Sequence, residues 1–214
     1  MKKVITSISV LFMVSSCSKH TDLDTKPVKK EEATVVNQSS KVENFLNLPQ
    51  TINFKGTDFN LSWSSHPSAN YYKQEFIPKD NVADKYTQMI IDELVVGDIT
   101  AKDAISQKIQ ELEARKATDR LAKYQVSENK ETKEFLLDFM LSEGNGDENT
   151  IVEWNIYRYT NFTDKAGRKG VSLFALSKRG YGHDILPYVN DLKENRLKYV
   201  SDFVALNNPQ INLK

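Results

Sequence analysis

The second half of the chain alternates apolar and polar residues, and this pattern constrains the fold more than any other feature. The alternation runs through residues 135–141, 151–162 and 171–178. A period of two indicates strands with one buried face. Residues 144–147 read Gly-Asn-Gly-Asp between the first two runs, and Asn-Gly accepts the positive φ angles of a tight hairpin turn. We therefore expect consecutive antiparallel strands.

The first half of the chain adds shorter strand-like runs at residues 59–64, 71–77 and 123–126. Residues 51–54 are a possible hairpin partner for the first of these runs. Residues 86–96 fit a helical stripe and an alternating strand equally well, and we favour a strand.

Two segments carry helix signals. Thr100 and Asp103 form a capping-box pattern before apolar residues at helical spacing, which predicts a helix over residues 101–116. Asp184 is a candidate cap for a long C-terminal helix with Pro187 in its first turn. The predicted class is α+β, an antiparallel sheet of about six to seven strands with two main helices packed against it.

This order of elements over residues 51–206 resembles the α/β sandwich of PsbP and of the DcrB-type bacterial envelope lipoproteins. The resemblance implies an antiparallel sheet with helices against it. That fold group consists largely of binding and assembly factors, so the resemblance implies a binding role and assigns no catalytic residue.

The first seventeen residues have the layout of a secretion signal. Lys2 and Lys3 precede a short apolar run over residues 4–14, too short to span a bilayer. The run leads to Val14-Ser15-Ser16-Cys17, which resembles the bacterial lipobox, and Cys17 is the only cysteine. We expect a signal peptide over residues 1–16 and a mature chain that begins at a lipidated Cys17.

The lipobox resemblance implies an anchor of two or three acyl chains, palmitate among them, on Cys17. Several chains give stable membrane attachment where one gives only reversible binding. By the same resemblance, Ser18 favours the outer membrane of the bacterial envelope. Residues 17–48 are mostly polar and predict a flexible tether, followed by a single domain over residues 49–214.

Charge and cysteine content exclude several classes of protein. The chain has 29 basic and 29 acidic residues, and loss of Lys2 and Lys3 leaves a small acidic excess. Nucleic-acid binders usually show a basic excess, so nucleic acid is not an expected partner. One cysteine permits neither an internal disulfide nor a cysteine zinc cluster.

The sequence lacks the motifs of the common enzyme classes, among them Gly-x-Ser-x-Gly and His-Glu-x-x-His. We expect a non-enzymatic envelope factor without cofactor or metal, which binds the bilayer through Cys17 and an envelope protein or lipid partner through its domain. One alternative is a hydrolase that uses Asp138 or Glu153, which lie in apolar strands. Another is a carrier of a small apolar ligand, which requires an enclosed cavity between sheet and helix.

Several further residues are candidates for chemistry or contact, each with a plainer structural explanation. The loop histidines are His20, His66 and His183, the last beside Asp184, and the oxygen-rich loop of residues 143–149 is a possible calcium site. The basic residues that could contact an anionic partner are Lys165, Arg168, Lys169, Lys178 and Arg179. The aromatic residues Trp154, Tyr157 and Tyr159 form either an exposed sheet surface or a second core layer.

Overall fold

The structure, a computed structural model, describes residues 42–145 and 148–213. The predicted signal peptide, Cys17 and the predicted tether up to residue 41 lie outside the described residues, as do residues 146 and 147 of the oxygen-rich loop. Leu46 and Leu48 are buried in the core, and the folded unit runs from Val42. No helix in the described part of the chain is long and apolar enough to cross a membrane.

Eight strands form one sheet. In chain order they are β1 (Thr51–Phe54), β2 (Thr57–Ser68), β3 (Tyr71–Pro78), β4 (Gln88–Val96), β5 (Lys123–Glu128), β6 (Phe135–Asn145), β7 (Glu148–Thr163) and β8 (Lys169–Tyr181).

Two helices accompany the sheet. Helix α1 (Ala101–Arg115) follows β4, and helix α2 (Ile185–Val204) follows β8 after a short 3₁₀ turn, Gly182–Asp184. The strands lie side by side in the order β1-β2-β3-β4-β8-β7-β6-β5, and every pairing is antiparallel. Helix α1 thus carries the chain from β4 to the far edge at β5, and three hairpins bring it back to β4.

The two helices lie on opposite faces of the sheet. Ile105 and Leu112 of α1 pack with Tyr157 and other residues of one core cluster. Leu192 and Phe203 of α2 belong to a second cluster, which includes Trp154 and Ile156. Because neighbouring residues of a strand point to opposite faces, the alternating apolar residues fill two separate cores. The fold therefore has three layers, helix, sheet and helix.

The prediction of an α+β fold with six to seven strands is wrong. The sheet has eight strands, and strand residues outnumber helical ones, so the fold is mostly sheet. One reason is β4, a central strand buried on both faces whose run of apolar residues lacks clear alternation. The other is β1, which has only four residues.

Several local predictions are confirmed. Residues 88–96 form a strand, and α1 begins at the predicted capping box, where the Thr100 backbone donates to Asp103 Oδ2 at 3.0 Å. The predicted cap at Asp184 is wrong, because its side chain makes no hydrogen bond to the start of α2. Asp184 has helical backbone angles as part of the 3₁₀ turn, whereas a capping residue is usually extended.

A candidate binding groove beside the C-terminal helix

Helix α2 covers only part of its face of the sheet. It packs on β8 and β7, and among the described residues no helix lies over β6 and the edge strand β5 on this face. This leaves a groove along the side of α2 with a volume of about 820 Å³. A smaller depression of about 390 Å³ continues it over β5 and β6. We call the two together the groove.

Apolar side chains from both the sheet and α2 supply most of the surface of the larger part. Met140 and Trp154 lie on the sheet, and Val189, Leu192 and Leu197 lie on α2. Trp154 is 2% exposed, so only a small part of its ring surface is accessible. Its indole nitrogen donates to Asp138 Oδ1 at 3.4 Å. Large apolar side chains with a few polar groups are the usual lining of ligand sites.

An ion pair crosses the groove. Arg196 of α2 donates from Nε to Asp138 Oδ1 at 2.8 Å and from Nη2 to Asp138 Oδ2 at 2.9 Å, and it also contacts Gln125 of β5. The hydrogen bonds to Asp138 raise the pKa of Arg196. Two parallel bonds between a guanidinium and a carboxylate fix their geometry. The pair therefore ties α2 to the sheet at the point where the two depressions meet.

The rim of the groove is predominantly basic. Lys116, Lys123, Lys193 and Arg196 line it, against the acidic residues Asp138 and Glu194. Lys116 is bound to Glu113 at 2.7 Å, whereas Lys123 and Lys193 are exposed and form no ion pair within the described part of the chain. The rim can therefore attract a ligand that carries negative charge.

Helix α2 has a second apolar stripe beside its buried face. Leu186, Leu197 and Val204 are 68%, 74% and 42% exposed. Because successive helical residues turn by about 100°, six residues fall within an arc of about 80° on this flank. We call them the α2 stripe: Leu186, Val189, Lys193, Leu197, Val200 and Val204. Exposed apolar stripes of this kind mark contact surfaces.

The two candidate carboxylates, Asp138 and Glu153, lie on opposite faces of the sheet. Asp138 pairs in register with Ile156 on the α2 face, whereas Glu153 pairs with Leu141 and points to the α1 face. Glu153 forms an ion pair with Arg179. Each carboxylate is thus held by its own arginine, and the two cannot act together on one substrate.

Glu153 belongs to a polar cluster on the α1 face. Tyr86 Oη donates to Glu153 Oε2 at 3.0 Å and lies 3.2 Å from Ser177 Oγ, and Asn155 Nδ2 donates to Glu153 Oε1 at 2.9 Å. The Arg179 guanidinium lies 4.1 Å from the centre of the Tyr86 ring. Burial raises the pKa of Tyr86, so its hydroxyl stays protonated. Most polar groups of the cluster are paired with one another, which is the pattern of a structural network, although Asn155 Oδ1 has no hydrogen-bond partner among the described residues.

The remaining candidates are dispersed. His183 is almost fully exposed, with Nε2 3.3 Å from Asp184 Oδ1, and His66 stacks on Tyr72 in an exposed strand. His20 lies outside the described residues. Lys178 packs over the Tyr199 ring at 3.5 Å. No group of three or more potential metal ligands occurs within the described ranges, which omit part of the oxygen-rich loop.

The aromatic residues of β7 form two core layers instead of a contact surface. Trp154 is buried beneath α2, and Tyr157 and Tyr159 are buried beneath α1. Arg179, a candidate surface charge, is also buried, and Arg168 is paired with Asp164. The exposed charges that remain from the basic set, Lys165 and Lys169, lie in or beside the β7–β8 turn.

Sequence reasoning missed the groove. Its signal in the sequence is the excess of apolar residues on α2, since Leu186, Leu197 and Val204 do not belong to the face that packs on the sheet. A helix with one buried face has polar residues on its flanks. The position of the groove, in contrast, depends on which strands α2 covers, and no local pattern specifies that.

The comparisons with known proteins concern the whole folded domain. A protein-family model matches residues 46–207, which is more than half of the chain and includes all eight strands and both helices. No curated protein and no solved structure gives a significant match.

Proposed function

Because the chain belongs to the domain family whose model spans residues 46–207, we propose that this domain carries the function, as a non-enzymatic binding module on a lipid anchor. In this proposal the mature chain is a bacterial envelope lipoprotein, attached by acyl chains on Cys17 and sorted to the outer membrane. Its domain binds a partner in the groove.

The observation that carries the proposal is the incomplete cover of the sheet beside α2. The larger part of the groove has a mostly apolar lining, a basic rim and a volume of about 820 Å³, within the range of about 300 to 1,000 Å³ typical of ligand sites. The α2 stripe extends the apolar surface along the helix. A folded domain gains nothing in its own stability from leaving such a surface in water, which supports a binding role.

The placement of the carboxylates favours binding over hydrolysis. Two carboxyl groups that flank a substrate bond must face the same cleft, within about 10 Å of each other. Asp138 and Glu153 project from opposite faces of the sheet and are each bound to an arginine. The carrier alternative required an enclosed cavity, whereas the groove is open to solvent along α2.

The anchor is tested by fractionating cells that express the native chain or Cys17→Ser. We expect the native chain in the membrane fraction, with a mature N-terminal peptide whose mass includes two or three acyl chains. Cys17→Ser should leave the membrane fraction, because its side chain cannot form the thioether that holds the diacylglyceryl group. A native chain without acyl mass at Cys17 would refute the anchor.

The groove is tested by co-purification from detergent-solubilised membranes. Lys193→Glu and Leu197→Asp change exposed residues of the α2 stripe, so they should leave the fold intact while removing the specifically bound partner. Val82→Asp changes a similarly exposed apolar residue that lies outside the groove, and it serves as the matched control. Equal loss of partner in all three variants, or retention in all three, would contradict a binding role for the groove.

A further inference from the structure

The part of this face that α2 leaves open spans two strands, β6 and β5. Neighbouring strands are about 4.8 Å apart, and packed helices lie about 8 to 10 Å from each other, so one helix covers about two strands. Helix α2 packs on β8 and β7, and the next two strands on that face are β6 and β5. A second helix parallel to α2 would therefore cover the two strands that α2 leaves open.

The two sides of this space offer the contacts that a helix needs. On one side the α2 stripe has side chains at spacings of three and four, apolar at every position except Lys193. Below it, Leu136 and Met140 are only partly buried and pack against the edge of the core cluster beneath α2. Anchors at such spacings are the mode by which an amphipathic helix binds in a groove.

The charge of the rim selects among possible occupants. Lys193 and Arg196 lie on α2 itself, and Lys123 lies on β5 at the opposite wall. Arg196 is already paired with Asp138, but a second copy of α2 would bring its own Lys193 against Lys193 and Lys123, and this repulsion disfavours self-association through this face. A helix with acidic residues on the flanks of its apolar stripe would instead meet cations on both sides.

We propose that the groove binds one amphipathic helix of a partner protein, with acidic residues flanking its apolar stripe. This inference rests on the proposed binding function and names the class of partner. The helix lies alongside α2, its apolar residues against Leu197, Val200 and Met140, and its carboxylates toward Lys123 and Lys193. It replaces water over β5 and β6 and completes the outer helical layer of this face.

A synthetic peptide tests the occupant directly. The probe is an 18-residue labelled helix with leucines at spacings of three and four and glutamates beside them. Its partner is the full mature chain carrying Cys17→Ser, which removes the lipid and leaves every described residue unchanged. We expect saturable binding by fluorescence anisotropy, with NMR shifts confined to β5, β6 and the α2 stripe.

Matched probes and variants make the result decisive. A peptide with each glutamate replaced by lysine should bind the parent chain at least about tenfold more weakly. The acidic peptide should likewise bind Lys193→Glu and Leu197→Asp at least about tenfold more weakly than the parent chain. Each change removes about 1.4 kcal/mol or more of binding free energy. Val82→Asp should bind like the parent chain. Equal binding of both peptides would overturn the proposal.

Other occupants give different results. Binding of lyso-phosphatidylglycerol below its micellar concentration, without binding of the acidic peptide, would assign the groove to an anionic lipid. Peptide binding that appears only after deletion of residues 18–41 would assign it to the chain's own segment. Either result overturns the proposed partner. If the groove variants still lose their co-purified partner while no peptide binds, the binding function stands and only the helical occupant is refuted.

Discussion

Asp138 and Glu153 lie in adjacent strands, yet each contacts a different arginine on a different face of the sheet. The sequence placed both in strands rich in apolar residues; Asp138 is buried, whereas Glu153 is only half-buried. The sequence could not predict that the two carboxylates point to opposite faces, because that depends on the register of the β6–β7 pairing. That register places Asp138 opposite Ile156 and Glu153 opposite Leu141.

Removal of the arginine that crosses the groove should destabilise the domain. Arg196→Met leaves the largely buried Asp138 without its cation, and we expect a loss of about 1 to 3 kcal/mol in the free energy of unfolding, measured by urea denaturation. Lys198→Met, which breaks an exposed pair with Asp202 on the other flank of α2, should change it by less than about 0.5 kcal/mol. Equal effects of the two changes would show that the Arg196 pair adds no stability.

A second prediction at this scale concerns Asp92 of β4. Asp92 is 1% exposed, and its Oδ2 has no hydrogen-bond partner among the described residues. Burial raises its pKa well above 3.8, so the folded state keeps the proton that the unfolded state releases. Between about pH 4 and the pKa of Asp92 in the folded state, the free energy of unfolding therefore falls as the pH rises, by up to about 1.4 kcal/mol per pH unit.

The variant Asp92→Asn removes this titration and isolates its effect. We expect its stability relative to the native chain to increase as the pH is raised from 4 to 8, in urea unfolding curves recorded at each pH. A difference between the two proteins that stays constant across this range would contradict a protonated Asp92 in the folded state.

At the scale of elements, the sequence was most informative where structure is local. The capping box of α1, the β1–β2 hairpin and the antiparallel pairing of β6 with β7 depend on residues close in the sequence, and they form where predicted. The sequence was least informative for β4, because a strand buried on both faces does not alternate clearly between apolar and polar residues. The faces on which α1 and α2 pack depend on topology, so the three-layer arrangement could not be read from periodicity.

The docking of α2 on the sheet depends on one small residue in β8. A Cβ atom at Gly180 would lie 2.7 Å from Cδ1 of Tyr188, whose hydroxyl donates to the Lys178 carbonyl at 2.7 Å. Gly180→Ala should therefore push the first turns of α2 outward, with a loss of about 1 to 3 kcal/mol.

The test of this close contact is a double-mutant cycle with Tyr188→Ala, monitored by thermal unfolding. The two changes should be strongly non-additive, because the second removes the ring that the new methyl group meets. Additive effects of the two changes on stability would show that Gly180→Ala does not act through contact with the Tyr188 ring.

At the scale of the whole molecule, the two faces of the sheet differ in how completely they are covered. On the α2 face, the segments around Leu46 and Ile211 belong to the core cluster along with α2, while β5 and β6 remain open. On the α1 face, the helix lies over β6, β7 and β8. This asymmetry supports the proposed binding role of the groove on the α2 face.

The most direct measurement of that role is a crosslinking scan in cells. A photo-reactive amino acid is placed at Leu186 or Leu197 in the α2 stripe, and at Trp63 or Val82, two exposed apolar positions elsewhere. The groove proposal predicts one discrete adduct of the same mass from Leu186 and Leu197, lost when Lys193→Glu is added, and none from Trp63 or Val82. Adducts that form at Trp63 or Val82 while the α2 stripe gives none would contradict it.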